Sequence, residues 1–474
     1  MITERLLEVL ASGGEKTVYQ VDGMSLSYSE CHDRVKTLAE ALCAQGAGPV
    51  IVYGRKSISQ FVSILACVAA HRAYVPVDVQ TPSGRLAEIV EATAASLMIC
   101  NEKAPALDIE CQTVSSLLAV YPGGSLSATH ENEIAYMIFT SGSTGKSKGV
   151  PISYKNLSHF IEWITNQDAL QAMKECRMFS AARFSFDLSV MDLYFSIFTH
   201  STIYAMSTEI RENLAAFFNG IRDHEIAFFV LTPTLAQLML LEPTFDQMHF
   251  PAVRGMFFCG ECLEVSTVRK IRARFPEVRV INAYGPTEAT CCVALTTISD
   301  DMLSQPVLPV GRLSQAAAII TLEDGEIVLS GQSVFQGYLS QTTESSSLRE
   351  DVATFHTKDI GEIVGDLLYC KGRKDQQIKY QGYRIELGDI EHHLRALPGV
   401  HEAVVCAKFK PQSTVVKLIK AYVVADEEMQ DVQTLKKALA ERVPPYMIPK
   451  TIVFMETLPV NANGKYDRKK LAEQ

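Results

Sequence analysis

The sequence predicts an α/β protein in two parts: a large N-terminal domain of layered α/β subdomains, residues 1–373, and a small α+β C-terminal domain, residues 374–474. Three observations carry this expectation. The first third alternates helical and strand periods, the signature of a parallel α/β architecture. Residues 134–150 then join a strand-like apolar run to a glycine-rich loop and a second strand. Finally, at Gly372-Arg373-Lys374-Asp375 the texture changes from large α/β units to a compact tail of short strands and two helices. A chain of 474 residues, 47% of them apolar, has the length for two or more cored domains.

In order, the opening MITERLLEVL reads as a short amphipathic helix without the apolar centre of a signal peptide. Ser27 and Glu30 form a capping-box pattern before a helix carrying Val35, Leu38, Ala39 and Leu42 and stopped by Gly46. Residues 51–53 read as a strand, 61–70 as a buried helix and 73–77 as the next strand. The run 61–70 is the longest apolar one, too short to cross a bilayer, so no membrane insertion and a cytoplasmic location are expected. A net charge of −10 with no basic stripe argues against a nucleic-acid partner. The 12 cysteines are scattered, as free thiols of a reducing compartment would be. Cys259 and Cys262, with Cys291 and Cys292, are irregularly spaced and have no nearby His, which speaks against zinc. Residues 1–130 carry no pattern with chemistry in it.

The loop after residue 139 is different. Thr140, Ser141, Gly142, Ser143, Thr144, Gly145, Lys146, Ser147, Lys148 and Gly149 offer backbone N–H groups, hydroxyls and two ammonium groups, as a phosphate-holding loop must. A Walker A loop is excluded. Thr140 stands where its first glycine is required, and 149–153 reads as a strand, not the helix whose N-terminus would face the phosphates. A strand, glycine loop and strand in this order resemble the phosphate loop of the adenylate-forming superfamily, which includes adenylation domains of nonribosomal peptide synthetases, acyl-CoA synthetases and luciferases. Ser147 departs from the proline usual there. The resemblance implies that Thr140, Ser141, Gly142, Ser143, Thr144 and Gly145 hold ATP, with Thr144 and Lys148 also catalytic.

Residues 156–167 carry Leu157, Phe160, Ile161 and Ile164 at helical spacing. In the apolar stretch 184–194, Asp187 has two readings: a cap for a helix over 188–198, or a carboxylate awaiting a cation. The stretch resembles the substrate motif of the amino-acid-activating members, where an aromatic, here Phe186, precedes an Asp that pairs with the α-ammonium group. Strands are expected at 226–231, before Thr232-Pro233-Thr234 and a helix, and at 255–260. Carried over one at a time, the superfamily's pocket positions fall on Leu188, Met191, Val230, Phe257, Cys259, Ala283, Cys291 and Cys292 beside Asp187. All eight are apolar or thiols, which suits a small uncharged side chain, alanine first. Together with Phe258-Cys259-Gly260-Glu261, the Asp187 stretch looks most like the D-alanine ligases for D-alanyl carrier proteins, with the enantiomer left open.

Asn282-Ala283-Tyr284-Gly285-Pro286-Thr287-Glu288 follows an apolar strand at 278–281. The resemblance makes it nucleotide-binding: Tyr284 stacks on the base, Asn282 reads it, Thr287 serves a phosphate and Glu288 holds Mg²⁺, with Ala283 and Gly285 beside them. Residues 325–331 and 336–339 read as sheet with turns. Thr357-Lys358-Asp359-Ile360-Gly361 resembles the family's TGD motif with Lys358 in place of glycine, so a positive φ there would strain the backbone. Asp359 is expected on the ribose hydroxyls and Arg373 on ribose or phosphate. Residues 376–391 match the entrance of the small domain, with Gly382 bordering a pantetheine tunnel. Residues 461–468 read alone as an exposed turn; the resemblance makes Lys465 catalytic and ATP-binding. Lys465 and the Gly382 edge cannot both reach one site if they lie on different faces, so the small domain is expected to be mobile, pivoting by Asp375.

The implied activity is an ATP- and Mg²⁺-dependent ligase. It would form an aminoacyl-AMP from a small amino acid and pass it to the phosphopantetheine thiol of a separate carrier protein. An acyl- or aryl-CoA synthetase, with the same adenylate chemistry, is the alternative that Asp187 disfavours.

Overall fold

A computed structural model describes residues 2–100, 102–121, 126, 133–142, 145–206, 213–339, 346–349, 352–411, 413–460 and 466–473. Local chemistry accounts for the first elements. Ser27 accepts from the Glu30 N–H and Glu30 from the Ser27 N–H, the capping box starting helix Tyr28–Gln45, and Gly46 ends it. Helix Ile58–Ala69, capped by Ser57, is buried from Gln60 onward on every side. Its one buried amide, Gln60, is satisfied by donating to the Gly54 carbonyl.

Two sheets organise the first 373 residues. One has six strands in the order Glu110–Gln112, Leu97–Cys100, Val50–Tyr53, Tyr74–Val77, Ile134–Thr140 and Lys148–Ser153, parallel but for the last antiparallel pair. The other has fourteen strands. Its centre is four parallel neighbours, Arg177–Ser180, Phe228–Leu231, Gly255–Phe258 and Arg279–Tyr284. Alternation along them divides two cores: Phe228, Val230, Phe257 and Ile281 join the cluster shared with the six-stranded sheet, while Phe229, Leu231, Met256, Phe258 and Val280 join a second. Both faces are covered, which is why these strands are continuous apolar runs. Each such side chain contributes about 1.5–3 kcal/mol on burial.

The fourteen-stranded sheet ends its chain path at Leu367–Arg373, and the next strand, Gln377–Tyr380, begins a separate hairpin with Tyr383–Glu386. A three-stranded sheet, Val400–Phe409, Val416–Ala425 and Thr451–Phe454, follows. A third apolar cluster is drawn wholly from residues between Ile378 and Ile452.

Several expectations need correction. Cys100 and Cys111 are joined as a disulfide, not free, because parallel pairing of their strands brings together residues that no sequence spacing links. Residues 336–339 form no strand. The strand expected over 278–281 runs on through Tyr284, paired antiparallel with Ala294–Thr297. The helix over 188–198 has a π-helical middle, Met191–Phe195. Lys358 does adopt a positive φ, 61°. That conformation costs about 1–2 kcal/mol outside glycine, and it is held by the Lys358 N–H donating to Glu326 Oε1 at 2.8 Å. Among the described residues no helix is long and apolar enough to cross a membrane.

Candidate active site

The expected site residues gather where the four parallel strands end, the usual ligand edge of an α/β sheet. Thr140 pairs with Lys148, so the described residues between them, 141–142 and 145–147, belong to the connection between antiparallel strands. Gly145 has φ 82°, and its N–H donates to the Gly142 carbonyl at 3.2 Å. A Cβ on Gly142 would run into the Lys146 carbonyl, so the tight turn requires glycine. Ser143 and Thr144 lie outside the described residues. Ser141 does not stand free: its hydroxyl donates to the Arg384 carbonyl and accepts from the Glu386 N–H, both at 2.9 Å. Lys148 Nζ sits 5.3 Å from the centre of the Tyr338 ring.

Asp187 precedes the helix but makes no cap bond with its side chain. Its Oδ2 instead accepts from the Thr287 hydroxyl at 2.6 Å. Burial pushes this carboxyl above its ordinary range, opposed by the Thr287 hydrogen bond and by the charges of Lys379 and Arg384. Among the described residues none forms an ion pair with it, which suits a carboxylate prepared for a cationic ligand. Phe186, Asp187, Leu188, Cys259, Thr287 and Cys291 face a cavity of about 30 Å³. That is close to one water's share of liquid volume. Met191, Val230, Phe257 and Cys292 do not reach this cavity; they are buried in the apolar cluster that also holds Leu188, Cys259 and Cys291. Cys259, Cys291 and Cys292 are buried free thiols. Burial drives the Cys259 thiol far above its usual range, and a hydrogen bond with Cys292 together with burial does the same for Cys291.

The Asn282–Glu288 segment points its polar groups several ways. Asn282 Nδ2 donates to the Pro309 carbonyl at 2.8 Å. The Tyr284 hydroxyl donates to Asp359 Oδ2 at 2.6 Å, and Arg373 Nη1 donates to the other oxygen of Asp359 at 2.5 Å. Arg373 also clasps Asp375, at 2.7 and 2.9 Å. Asn282, Ala283, Tyr284, Asp359 and Arg373 share a cavity of about 600 Å³, lined also by Lys379, Val405 and Phe409 from beyond residue 374. A cavity of that size is ordinary for a nucleotide-sized ligand. Gly285 lines the smaller cavity, where a Cβ would meet the Cys291–Cys292 backbone.

Glu288 is fully buried. Arg384 Nη1 reaches both its oxygens, at 2.8 and 2.6 Å, and the Tyr338 hydroxyl donates to Oε1 at 2.5 Å. Burial alone would raise this carboxyl, but the Arg384 charge and these hydrogen bonds outweigh it and hold it below the ordinary range. Arg384 and Tyr338 had no role in the sequence reading. Both lie within stretches matched to motifs, yet nothing local shows that a residue 96 positions away will meet Glu288. Gly382, φ 84°, sits against Thr232, where a Cβ would lie 2.7 Å from the Thr232 methyl. Its N–H donates to Glu261 Oε1 at 2.8 Å, while Glu261 Oε2 accepts from the Thr234 N–H. Lys465 lies outside the described residues; beside that turn, Val460 pairs with Tyr466, and Arg468 forms an ion pair with Glu391.

The sequence profile of the AMP-binding enzymes matches residues 8–339, and that of the AMP-binding enzyme C-terminal domain matches residues 389–465. The D-alanine–D-alanyl carrier protein ligase of Bacillus licheniformis is 33% identical over 95% of this chain and 94% of its own length. That of Bacillus cereus strain B4264 is 32% identical over 100% and 99%. Among solved structures, the adenylation domain AlmE of Vibrio cholerae, in complex with glycyl-adenosine-5'-phosphate, superposes with a TM-score of 0.85 at 23% identity, covering 100% of this chain and 97% of that one. The o-succinylbenzoate CoA synthetase of Bacillus subtilis gives 0.83 at 19% identity, covering 99% and 98%. These two likenesses establish the adenylate-forming fold.

Proposed function

This chain belongs to the AMP-binding enzyme family, and on that premise we propose that it is an AMP-forming ligase that activates a small uncharged amino acid, alanine first, with ATP and transfers it to the phosphopantetheine thiol of a separate carrier protein. The observation that carries this reading is Asp187, a carboxylate with no ion pair among the described residues, facing a cavity of about 30 Å³. A cationic α-ammonium group matches the charge, and the small space beside Asp187, lined by Phe186, Leu188, Cys259 and Cys291, favours a small side chain. A fatty or aryl acid brings no cation and needs more room, which disfavours a CoA synthetase. The two Bacillus ligases, alike over nearly their whole length, point the same way.

In the first step a carboxylate oxygen of the amino acid forms a bond to the α-phosphorus of ATP and the bond to pyrophosphate breaks. No strong base is needed; the obstacle is bringing an anion onto a polyanion. Loop donors from Thr140 to Gly145, with Lys148 and Lys465, offset that repulsion and hold the reactants in line. Tyr284, Asn282 and Ala283 would take the base, and Asp359 and Arg373 the ribose. As the ammonium group arrives on Asp187, the Thr287 hydroxyl is released toward phosphate. Glu288 fits a divalent cation: both its oxygens already converge on a cationic group, that of Arg384. Bound there, Mg²⁺ would screen phosphate charge. In the second step the carrier's thiolate attacks the acyl carbon and AMP leaves.

The same reading divides the chain into a core of residues 1–373 and a mobile domain of residues 374–474, working in the cytoplasm. Its test is acyl transfer. Incubated with ATP, alanine and a phosphopantetheinylated carrier protein, the enzyme should add one alanyl residue to the carrier, released by hydroxylamine. Transfer of acetate or benzoate to free coenzyme A, with none of alanine to a carrier, would overturn it.

A further inference from the structure

The segment that runs from strand Arg177–Ser180 to Asp187 carries more than the substrate carboxylate. Arg183, which had no role in the sequence reading, and Ser185 line a separate cavity of about 70 Å³ together with Asp78, Thr140, Phe186 and Thr287. We infer that this cavity receives the pyrophosphate that leaves ATP in the first step, and that Arg183 is the cation that binds it. The inference rests on the adenylating reading above and deepens it.

The cavities divide the reactants between them. The one at Asp187 shares Cys259, Asp359 and Arg373 with the large nucleotide cavity, and Phe186 and Thr287 with the Arg183 cavity. The large cavity and the Arg183 cavity have no lining residue in common. With adenosine in the large cavity and the amino acid at Asp187, the space beside Thr140, at the edge of the phosphate loop, is left for the β- and γ-phosphates. There the charge appears. As the carboxylate oxygen bonds to the α-phosphorus, the bond to the bridging oxygen breaks and its electron pair leaves with pyrophosphate.

The donors that face this space are uncommitted. Among the described residues Arg183 donates a single hydrogen bond, from Nη1 to Asp78 Oδ1 at 3.0 Å, and the Thr140 and Ser185 hydroxyls make none to protein. A guanidinium fork matches two phosphate oxygens at once, and the hydroxyls add donors that need no charge. Asp78 is the counter-ion that Arg183 keeps until the anion arrives. Both side chains are partly exposed, so exchanging one anionic partner for another demands no full desolvation. Asp78 Oδ1 also accepts from the Gln80 N–H at 2.9 Å, a hold that does not depend on Arg183. The Asp78 charge opposes an anion in the cavity, so the two members of this ion pair act on pyrophosphate in opposite directions. A pair that served the fold alone would not.

Calorimetric titration of the full chain with magnesium pyrophosphate, and separately with AMP, tests this without any amino acid present. Arg183→Gln should weaken pyrophosphate binding about tenfold and leave AMP binding within about threefold. Arg183→Lys, which keeps the charge but not the fork, should fall between, and Asp78→Asn should bind pyrophosphate at least as tightly as the wild type. Pyrophosphate affinity within about threefold of the wild type in Arg183→Gln would overturn the inference. So would equal losses in Arg183→Gln and Asp78→Asn, which would reduce the pair to a structural tie. If Arg183→Gln loses AMP as well, through misfolding, the opposite directions expected of Arg183→Lys and Asp78→Asn decide. Alanine-dependent pyrophosphate exchange by the wild type reports separately on the adenylating reading: a chain that holds pyrophosphate through Arg183 yet exchanges with no amino acid fails that reading and not this one.

Discussion

Replacing Asp187 with Asn isolates the charge that defines the substrate. The amide oxygen of Asn can still accept from the Thr287 hydroxyl, now at 2.6 Å from Oδ2, so the local hydrogen bond survives while the negative charge is lost. Truncating one partner of a buried, hydrogen-bonded charge pair costs about 2–5 kcal/mol. Asp187 is only partly buried before substrate arrives, so a value near the lower end, about 3 kcal/mol, is appropriate. That corresponds to roughly a 150-fold fall in kcat/KM for alanine, at about 1.4 kcal/mol for each tenfold. ATP–pyrophosphate exchange measures it, and the loss should fall on the KM for alanine while the KM for ATP stays within about threefold. The preference for alanine over propionate, which lacks the ammonium group, should shrink by the same factor. Exchange with a near-native alanine KM would refute the reasoning and leave Asp187 without a role in recognition.

The remaining predictions concern pH, the mobile domain and the tunnel edge. Burial places the Asp187 carboxyl above the usual carboxylate range, so alanine KM should rise as pH falls through that elevated value; in Asp187→Asn this component should be absent. Lys465→Ala should cripple adenylate formation, where a charge is needed on the transferring phosphoryl group, yet largely spare thioester formation from supplied adenylate; equal slowing of both would tie Lys465 to domain placement instead. Pro at 375, which also breaks the Asp375 clasp on Arg373, should penalise the switch between the steps, seen as a lag between adenylate and thioester in single-turnover assays. Gly382→Ala puts a Cβ 2.7 Å from the Thr232 methyl at a φ of 84°, so it should slow the thioester step; Thr232→Ser, which removes the methyl but keeps the hydroxyl that caps Pro233–Met239, should restore part of the rate.

What could be read from the sequence was local. The Ser27–Glu30 capping box, the loop between two strands at 140–148 and the buried parallel strands announce themselves through spacing within a few residues. Lys358 likewise stands at a position whose positive φ the motif itself implied. What could not be read depends on which distant segments meet. Asp187 looked like a possible helix cap, because any Asp before a helix does; its actual partner, Thr287, is 100 residues away. The Arg384–Glu288 pair spans 96 residues and the Ser141–Glu386 contact 245, and neither leaves a local trace. The Cys100–Cys111 bond arises from strand order alone. The pocket positions behave the same way: resemblance gathers eight of them around Asp187, but packing brings only some to the cavity and folds Met191, Val230, Phe257 and Cys292 into the cluster behind it.

ATP–pyrophosphate exchange across a panel of amino acids of both hands, set beside acetate, benzoate and a medium-chain fatty acid, tests the central claim most directly. The account predicts exchange that is strongest with alanine, falls as the side chain outgrows a methyl group, and is lost for acids without an α-ammonium group. Robust exchange with benzoate or a fatty acid, and none with any amino acid, would contradict it.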